Sequence, residues 1–169
     1  MNELLAKEIN EMAQRDQKMR AEVEKGAEWD SAIDIENTAR LKQIVAQYGW
    51  PTIELVGEKA SYNAWLLVQH ADKDRAFQRH VLDLIKAARK LKPDSINSKN
   101  IAYLTDRLLV AEGKEQEFGT QFYITNEEKL VPSPIRDREN VNKRREEYGL
   151  YPIERDLEDA EHYLAPKKK

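Results

Sequence analysis

The reactive groups this chain can offer are imidazoles and carboxylates: it holds three histidines and no cysteine. An imidazole exchanges a proton near neutral pH and serves as acid, base or hydrogen-bonding group when a carboxylate orients it. His70 directly follows Gln69 in an apolar run and shares a helical face with Asn63, Leu66 and Leu67. His80 lies one register away from a Phe77, Val81, Leu84 stripe, and His162 falls in a charged tail. The plain alternative for His70 is a satisfied core or boundary histidine. No His-x-x-x-His, His-Glu-x-x-His or paired Glu-x-x-His spacing occurs, so neither a metal nor any other cofactor is expected. Gly-x-Ser-x-Gly, Ser-x-x-Lys, phosphate-loop and dinucleotide patterns are also lacking, and Gly113 to Gly119 reads as a turn into a strand.

Polar residues recur where apolar ones are expected. Asp16 stands on the apolar stripe of the first segment with Arg20 one turn later, and a lone buried carboxylate needs a cationic partner. Asp106 and Arg107 interrupt a helix that is apolar on both faces, either as a structural ion pair or as part of a site. In Phe118-Gly119-Thr120-Gln121, a glycine within a strand marks the close approach of another backbone or a ligand, and the amides of Gln116 and Gln121 can read polar groups. A β-bulge with Gln121 facing solvent is the plain alternative.

These residues must be positioned by helices. Leu5, Ile9, Met12, Asp16, Met19 and Val23 recur at helical spacing over residues 1–25, and Gly26 ends that helix. A second helix is predicted from Ser31 to Tyr48 with Asn37, Leu41, Ile44, Val45 and Tyr48 on one face, stopped by Gly49. Ile53, Leu55 and Val56 form an apolar connector after Trp50-Pro51. A central, buried helix follows from Ala60 or Ser61 to His70. The next helix starts at Asp72 or Asp74 and runs to Lys90, and another spans Ser98 to Ala111. Alternation from Phe118 to Ile124, then Lys129 to Val131, predicts a β-hairpin. Asp137 is expected to cap a helix to Tyr148, ahead of an amphipathic tail ending in three lysines. The fold expected is mainly α: a single-domain helical bundle, residues 1–169, of about six helices with a small β-hairpin after the fifth. Its parts are an N-terminal helix (1–25), a helical core (31–112), the hairpin and extended segment (116–135) and C-terminal helices (137–164).

Composition narrows the function classes. The 169 residues are 35% charged with a net charge of −3, which gives no general attraction to nucleic acid or anionic lipid. No apolar run approaches the ~20 residues of a membrane span, and the first 25 residues read as neither signal nor transit peptide. A cytoplasmic protein that binds neither nucleic acid nor membrane is expected, with helix one a possible seam for oligomers.

Asp16-Gln17 with Arg20, Gly49-Trp50-Pro51, Ala64-Trp65-Leu66-Leu67-Val68-Gln69-His70-Ala71-Asp72, Tyr103-Leu104-Thr105-Asp106-Arg107, Phe118-Gly119-Thr120-Gln121 and Arg144-Arg145 occur here in one order. As a set, from about Leu5 to Ile153, they resemble a bacterial family of small proteins of unknown function. That family usually has Tyr where this chain has Phe118. The resemblance implies a shared polar site and carries no activity with it.

Asp16, Gln17, Arg20, Gln69, His70, Asp106, Arg107, Gln116, Thr120 and Gln121 come from four segments, more polar groups than a core needs. The reading is a pocket between helix one, the His70 helix, the Asp106 helix and the hairpin. His70 and Asp106 are its catalytic candidates, with Asp106 or Asp16 orienting the imidazole. Arg20 or Arg107 would hold an anionic group, Gln116 and Gln121 would fix amide or hydroxyl functions, and Arg144 is a further binding residue. Metal-free acid–base chemistry on a small polar or peptide-like molecule follows, of hydrolase, cyclase or isomerase type. The competing reading is a non-enzymatic interaction or immunity-type protein whose polar residues form a buried network.

Overall fold

The computed structural model describes residues 1–127 and 129–164, with the side chains from 160 on left aside; His162's side chain and the terminal lysines lie outside them. The protein is mainly α-helical, with one two-stranded antiparallel hairpin among the described residues. It divides into two compact units, residues 1–100 and the residues from Ile101 onward.

In the first unit, α1 (Glu3–Glu24), α2 (Ser31–Tyr48), α3 (Ile53–Val56), α4 (Glu58–Gln69) and α5 (Arg75–Leu91) follow in order. Four of these five starts have a side-chain cap, and α4 starts after Gly57 without one. The side chains of Asn2, Asp30, Thr52 and Asp74 accept from the amides of Leu5, Ala32, Leu55 and Phe77, satisfying donors that a first turn leaves open. Asp74 is therefore the cap of α5, and the expected apolar connector at Ile53 is a helical turn of its own. α4 is the central element, packed by α1, α2, α3 and α5, and buries Ala60, Ala64, Trp65, Leu67 and Val68. α1 buries Leu5, Ile9, Ala13 and Asp16, a narrower stripe than expected, because Met12, Met19 and Val23 are only partly covered. α4 is its main neighbour, and Leu5, Ile9, Ala13 and Asp16 are covered within the unit.

α6 (Ser98–Ala111) leads into the second unit, which holds β1 (Phe122–Ile124), β2 (Leu130–Pro132), α7 (Val141–Glu147) and α8 (Ile153–Leu164). The hairpin thus follows the sixth helix. β1 pairs with β2 with Tyr123 opposite Val131. The strand expected from Phe118 begins only at Phe122, because the amides of Glu117, Phe118 and Thr120 are spent elsewhere. Asp106, wholly buried on α6, accepts from the amides of Glu117 (2.7 Å), Phe118 (3.1 Å) and Thr120 (3.0 Å) and from the Thr120 hydroxyl (2.9 Å). Donors turned toward one carboxylate cannot alternate along a ladder. Gly119 makes the turn possible at φ +70°, and a Cβ there would come within 2.4 Å of the Ile153 Cδ1. Asp137, expected as a helix cap, instead sits left-handed at φ 46° and accepts from Asn140 and Arg144, and α7 starts at Val141.

Asp106→Asn would set an NH2 group against this ring of donors. It should lower the stability measured by urea denaturation by about 2–4 kcal/mol. An effect within about 0.5 kcal/mol, the size of an ordinary surface substitution, would refute the assignment. Gly119→Ala should cost at least about 1 kcal/mol from the left-handed backbone alone.

Candidate functional site

α1 and the end of α4 bring Asp16 and His70 together. His70 is the residue that ends α4, and its Nδ1 lies 3.1 Å from Asp16 Oδ1 and 2.9 Å from Oδ2. Asp16 has no exposure to solvent. It also accepts from Arg20 Nε (3.2 Å), Arg20 Nη2 (3.1 Å) and Gln17 Nε2 (2.8 Å). Burial raises the pKa of such a carboxyl, but the hydrogen bonds from His70, Arg20 and Gln17 outweigh it and hold Asp16 at about 2. An ionised carboxylate only accepts, so Nδ1 carries the hydrogen and Nε2 is the nitrogen left for other partners.

His70 lines a cavity of about 490 Å³ in the first unit, walled by Trp29, Ile35, Thr38 and Ala39 and edged by Arg20, Asp34, Lys42 and Asp74. Arg20 Nη2 reaches on to Asp34 Oδ1 at 2.7 Å, and its guanidinium lies 4.8 Å from the Trp29 ring. Burial pushes the Asp34 carboxyl up from its ordinary value and the nearby charges of Asp16 and Asp72 add to this, against Arg20 and His70. Lys42 pairs with Asp74. Gln78 fixes the end of α4 by donating to the carbonyls of Val68 (3.0 Å) and Gln69 (3.3 Å). Among the described residues no three His, Asp or Glu side chains converge as metal ligands.

The other expected site residues have different surroundings. The carboxylate beside His70 is Asp16, while Asp106 is bonded to the 117–120 loop. Burial pushes the Asp106 carboxyl up, with the loop amides and Thr120 pulling it back. Gln116, wholly buried, acts as a stand-in for a strand: Nε2 donates to the carbonyls of Gln121 (3.0 Å) and Ser133 (2.7 Å), and Oε1 accepts from the Gln121 amide (2.9 Å). Gln121 Nε2 in turn donates to the Thr120 hydroxyl at 3.2 Å. Arg144 donates to the carbonyls of Glu117 (2.9 Å), Arg136 (2.6 Å) and Asp137 (3.0 Å). Arg107 is half-buried beside Asp106 on α6. Gln69 is buried next to His70, with its side-chain Nε2 unbonded among the described residues. Gln17 lies along a second cavity of the first unit, on the α1 side.

Three contributors escaped sequence reasoning. Asp34 lies one step before Asn37 and Leu41 on the face already assigned to α2, and extending that face would have found it. Arg145 stands four residues after Val141, both are buried, and Arg145 donates to Phe118 O (2.7 Å), Tyr151 O (2.6 Å) and the Asp156 carboxylate. Trp29, in the α1–α2 connection, carried no signal of its role.

The depressed pKa of Asp16 makes the first unit acid-sensitive. A carboxyl held at about 2 in the folded state, against an ordinary 3.8, contributes about 2 kcal/mol above its ordinary value, lost as the pH falls toward 2. In urea denaturation followed over that range, Asp16→Asn should be less stable near neutrality and show a flatter acid limb. An acid limb as steep as the wild type's would contradict the pairing.

No helix among the described residues is long and apolar enough to cross a membrane. Comparison with known proteins adds little chemistry: no curated protein and no solved structure matches the chain. One family model, described as a family of unknown function, matches residues 2–165. With nearly the whole length matched, the chain belongs to this family, DUF6624.

Proposed function

We propose that the cavity over His70 is a ligand site in which His70 acts as a metal-free general acid and base on a small polar or peptide-like molecule. The observation that carries this reading is the two-sided setting of the imidazole: Nδ1 on a wholly buried carboxylate, the ring itself edging a cavity large enough for a small molecule. Asp16 fixes the tautomer, so that Nε2 presents a lone pair that can take a proton from the ligand or from a water beside it. The imidazolium formed is stabilised by Asp16, which stays ionised because Arg20 and Gln17 hold it so. The proton is returned to a leaving or rearranging atom, which fits hydrolysis, cyclisation or isomerisation. Asp106 takes no part, since its oxygens serve the 117–120 loop.

One observation favours the non-enzymatic alternative for part of the expected site. Asp106, Gln116, Thr120, Gln121 and Arg144 bond to one another's segments as a closed network, which is what a structural role requires. We read these five as scaffold and His70, Asp16 and Arg20 as site.

A thermal-shift screen of small polar metabolites and short peptides on wild type, His70→Ala and His70→Gln tests the proposal. A true ligand at a hundredfold excess over its Kd should stabilise the wild type by about 2.7 kcal/mol and the folded variants far less. Ligands that stabilise all three chains equally, or a screen in which none depends on His70, would refute it.

A further inference from the structure

The cavity over His70 is short of positive charge. Asp16 and Asp34 are both enclosed, the Asp34 side chain being 14% exposed, and the single guanidinium of Arg20 serves the two of them. Lys42 is committed to Asp74. Lys73 stands exposed at the rim, where water and salt screen its field. The carboxylates of Asp16 and Asp34 against the one guanidinium of Arg20 sum to one negative charge. The excess is felt at Asp34. Its Oδ1 accepts from Arg20, whereas its Oδ2 accepts no hydrogen bond among the described residues. Burial and the charges of Asp16 and Asp72 hold its carboxyl above the ordinary value, as expected of a carboxylate with too little cation nearby.

The opposite wall is apolar. Trp29 and Ile35 are about half exposed, at 50% and 53%, although both are large hydrophobic residues edging a concave surface. Arg20 covers one face of the Trp29 ring, at 4.8 Å from its centroid.

From these observations we propose that the ligand of this cavity is a protonated organic amine, its ammonium group paired with Asp34 beside His70 and its apolar body lying on Trp29 and Ile35. The inference rests on the cavity being the ligand site and adds the ligand's charge class. An ammonium supplies the missing charge and the missing donor to Asp34 in one group, where the side-chain screening that weakens surface pairs is reduced. An anionic ligand, by contrast, finds Arg20 already engaged through Nε and Nη2 and meets the Asp34 carboxylate on the wall. Arg20, expected from the sequence to hold an anionic group, instead joins two carboxylates of its own unit.

Two probes with the same ring and opposite charge decide the matter: phenethylamine and 3-phenylpropionate, titrated into the full chain near neutral pH while the His70 imidazole resonances are followed by NMR. Phenethylamine should bind and move the His70 signals, and 3-phenylpropionate should bind at least about tenfold more weakly, a difference of ~1.4 kcal/mol. Asp34→Asn should weaken phenethylamine by about tenfold or more, and Trp29→Ala by several-fold. Binding of phenethylamine that Asp34→Asn leaves unchanged overturns the proposal. If 3-phenylpropionate binds better and moves His70, the cavity remains a ligand site and the amine assignment falls. If neither probe moves His70 at millimolar concentration, both readings fall. Should Asp34→Asn fail to fold, the comparison of the two probes on the wild type still decides.

Discussion

A carboxylate with no exposure to solvent must recover from its neighbours what water would have supplied, or it destabilises the fold by several kcal/mol. Asp16 is that group in the first unit, and the unit's architecture answers to it. Two of its donors, Gln17 and Arg20, come from its own helix, and the third, His70, comes from the end of α4. Leu5, Ile9 and Ala13 continue the same stripe and could pack against α4 at more than one axial position. Asp16 cannot. Sliding α1 by one turn would take the carboxylate away from His70 and leave it only the donors of its own helix, so the interaction favours one register of α1 on α4 and fixes the orientation of the imidazole with it. Gln78 completes the arrangement by holding the carbonyls at the end of α4, the point from which His70 projects.

The second unit meets the same problem with different chemistry. Asp106 is equally buried, but its donors are three backbone amides and a hydroxyl, with no cation among them. Amides reach a carboxylate only if the backbone curls around it, and that requirement explains the turn at Gly119, the late start of β1 and the buried Gln116 side chain that replaces ladder bonds. Arg144 and Arg145 close the loop from outside through its carbonyls. The two carboxylates thus differ in what they leave over. Around Asp106 every partner is a piece of the loop itself, whereas one partner of Asp16 is an imidazole with a second nitrogen and an edge on a cavity.

Helix positions were readable because each depends on local signals. Ser31, Tyr48 and Ser98 bound their helices as caps, stops and periodicity alone indicate, and the chain belongs to a family of unknown function. The 117–121 segment was misread for a physical reason: its alternation predicts a strand, and only a carboxylate more than ten residues away in sequence diverts its amides. Asp16 and Arg20 were singled out as an anomaly on an apolar stripe, and their pairing follows from i, i+4 spacing. That Asp16 rather than Asp106 faces His70 depends on how α1 crosses α4, which no local pattern encodes. Trp29 belongs to the cavity through the path of the α1–α2 connection, a tertiary fact with no local trace, whereas Asp34 stands on the α2 face that helical spacing picks out.

The distribution of charge separates the cavity from a scaffold. A network selected for stability alone tends to neutrality, because each uncompensated buried charge is a direct loss. Arg145 with Asp156 fits that rule, and Asp106, which lacks a cation, is compensated on both oxygens by four donors of the 117–120 loop. The set around His70 does not: two enclosed carboxylates share one guanidinium, and a half-exposed tryptophan stands beside them without a protein partner on its open side. Replacing Asp34 by an uncharged residue would remove the imbalance and leave the cap of α2, Asp30, in place, while giving up an acid in the first turn and the pair with Arg20. A carboxylate with one oxygen paired and the other left over, on the wall of a cavity that also holds an oriented imidazole, is where local rules are expected to yield to function.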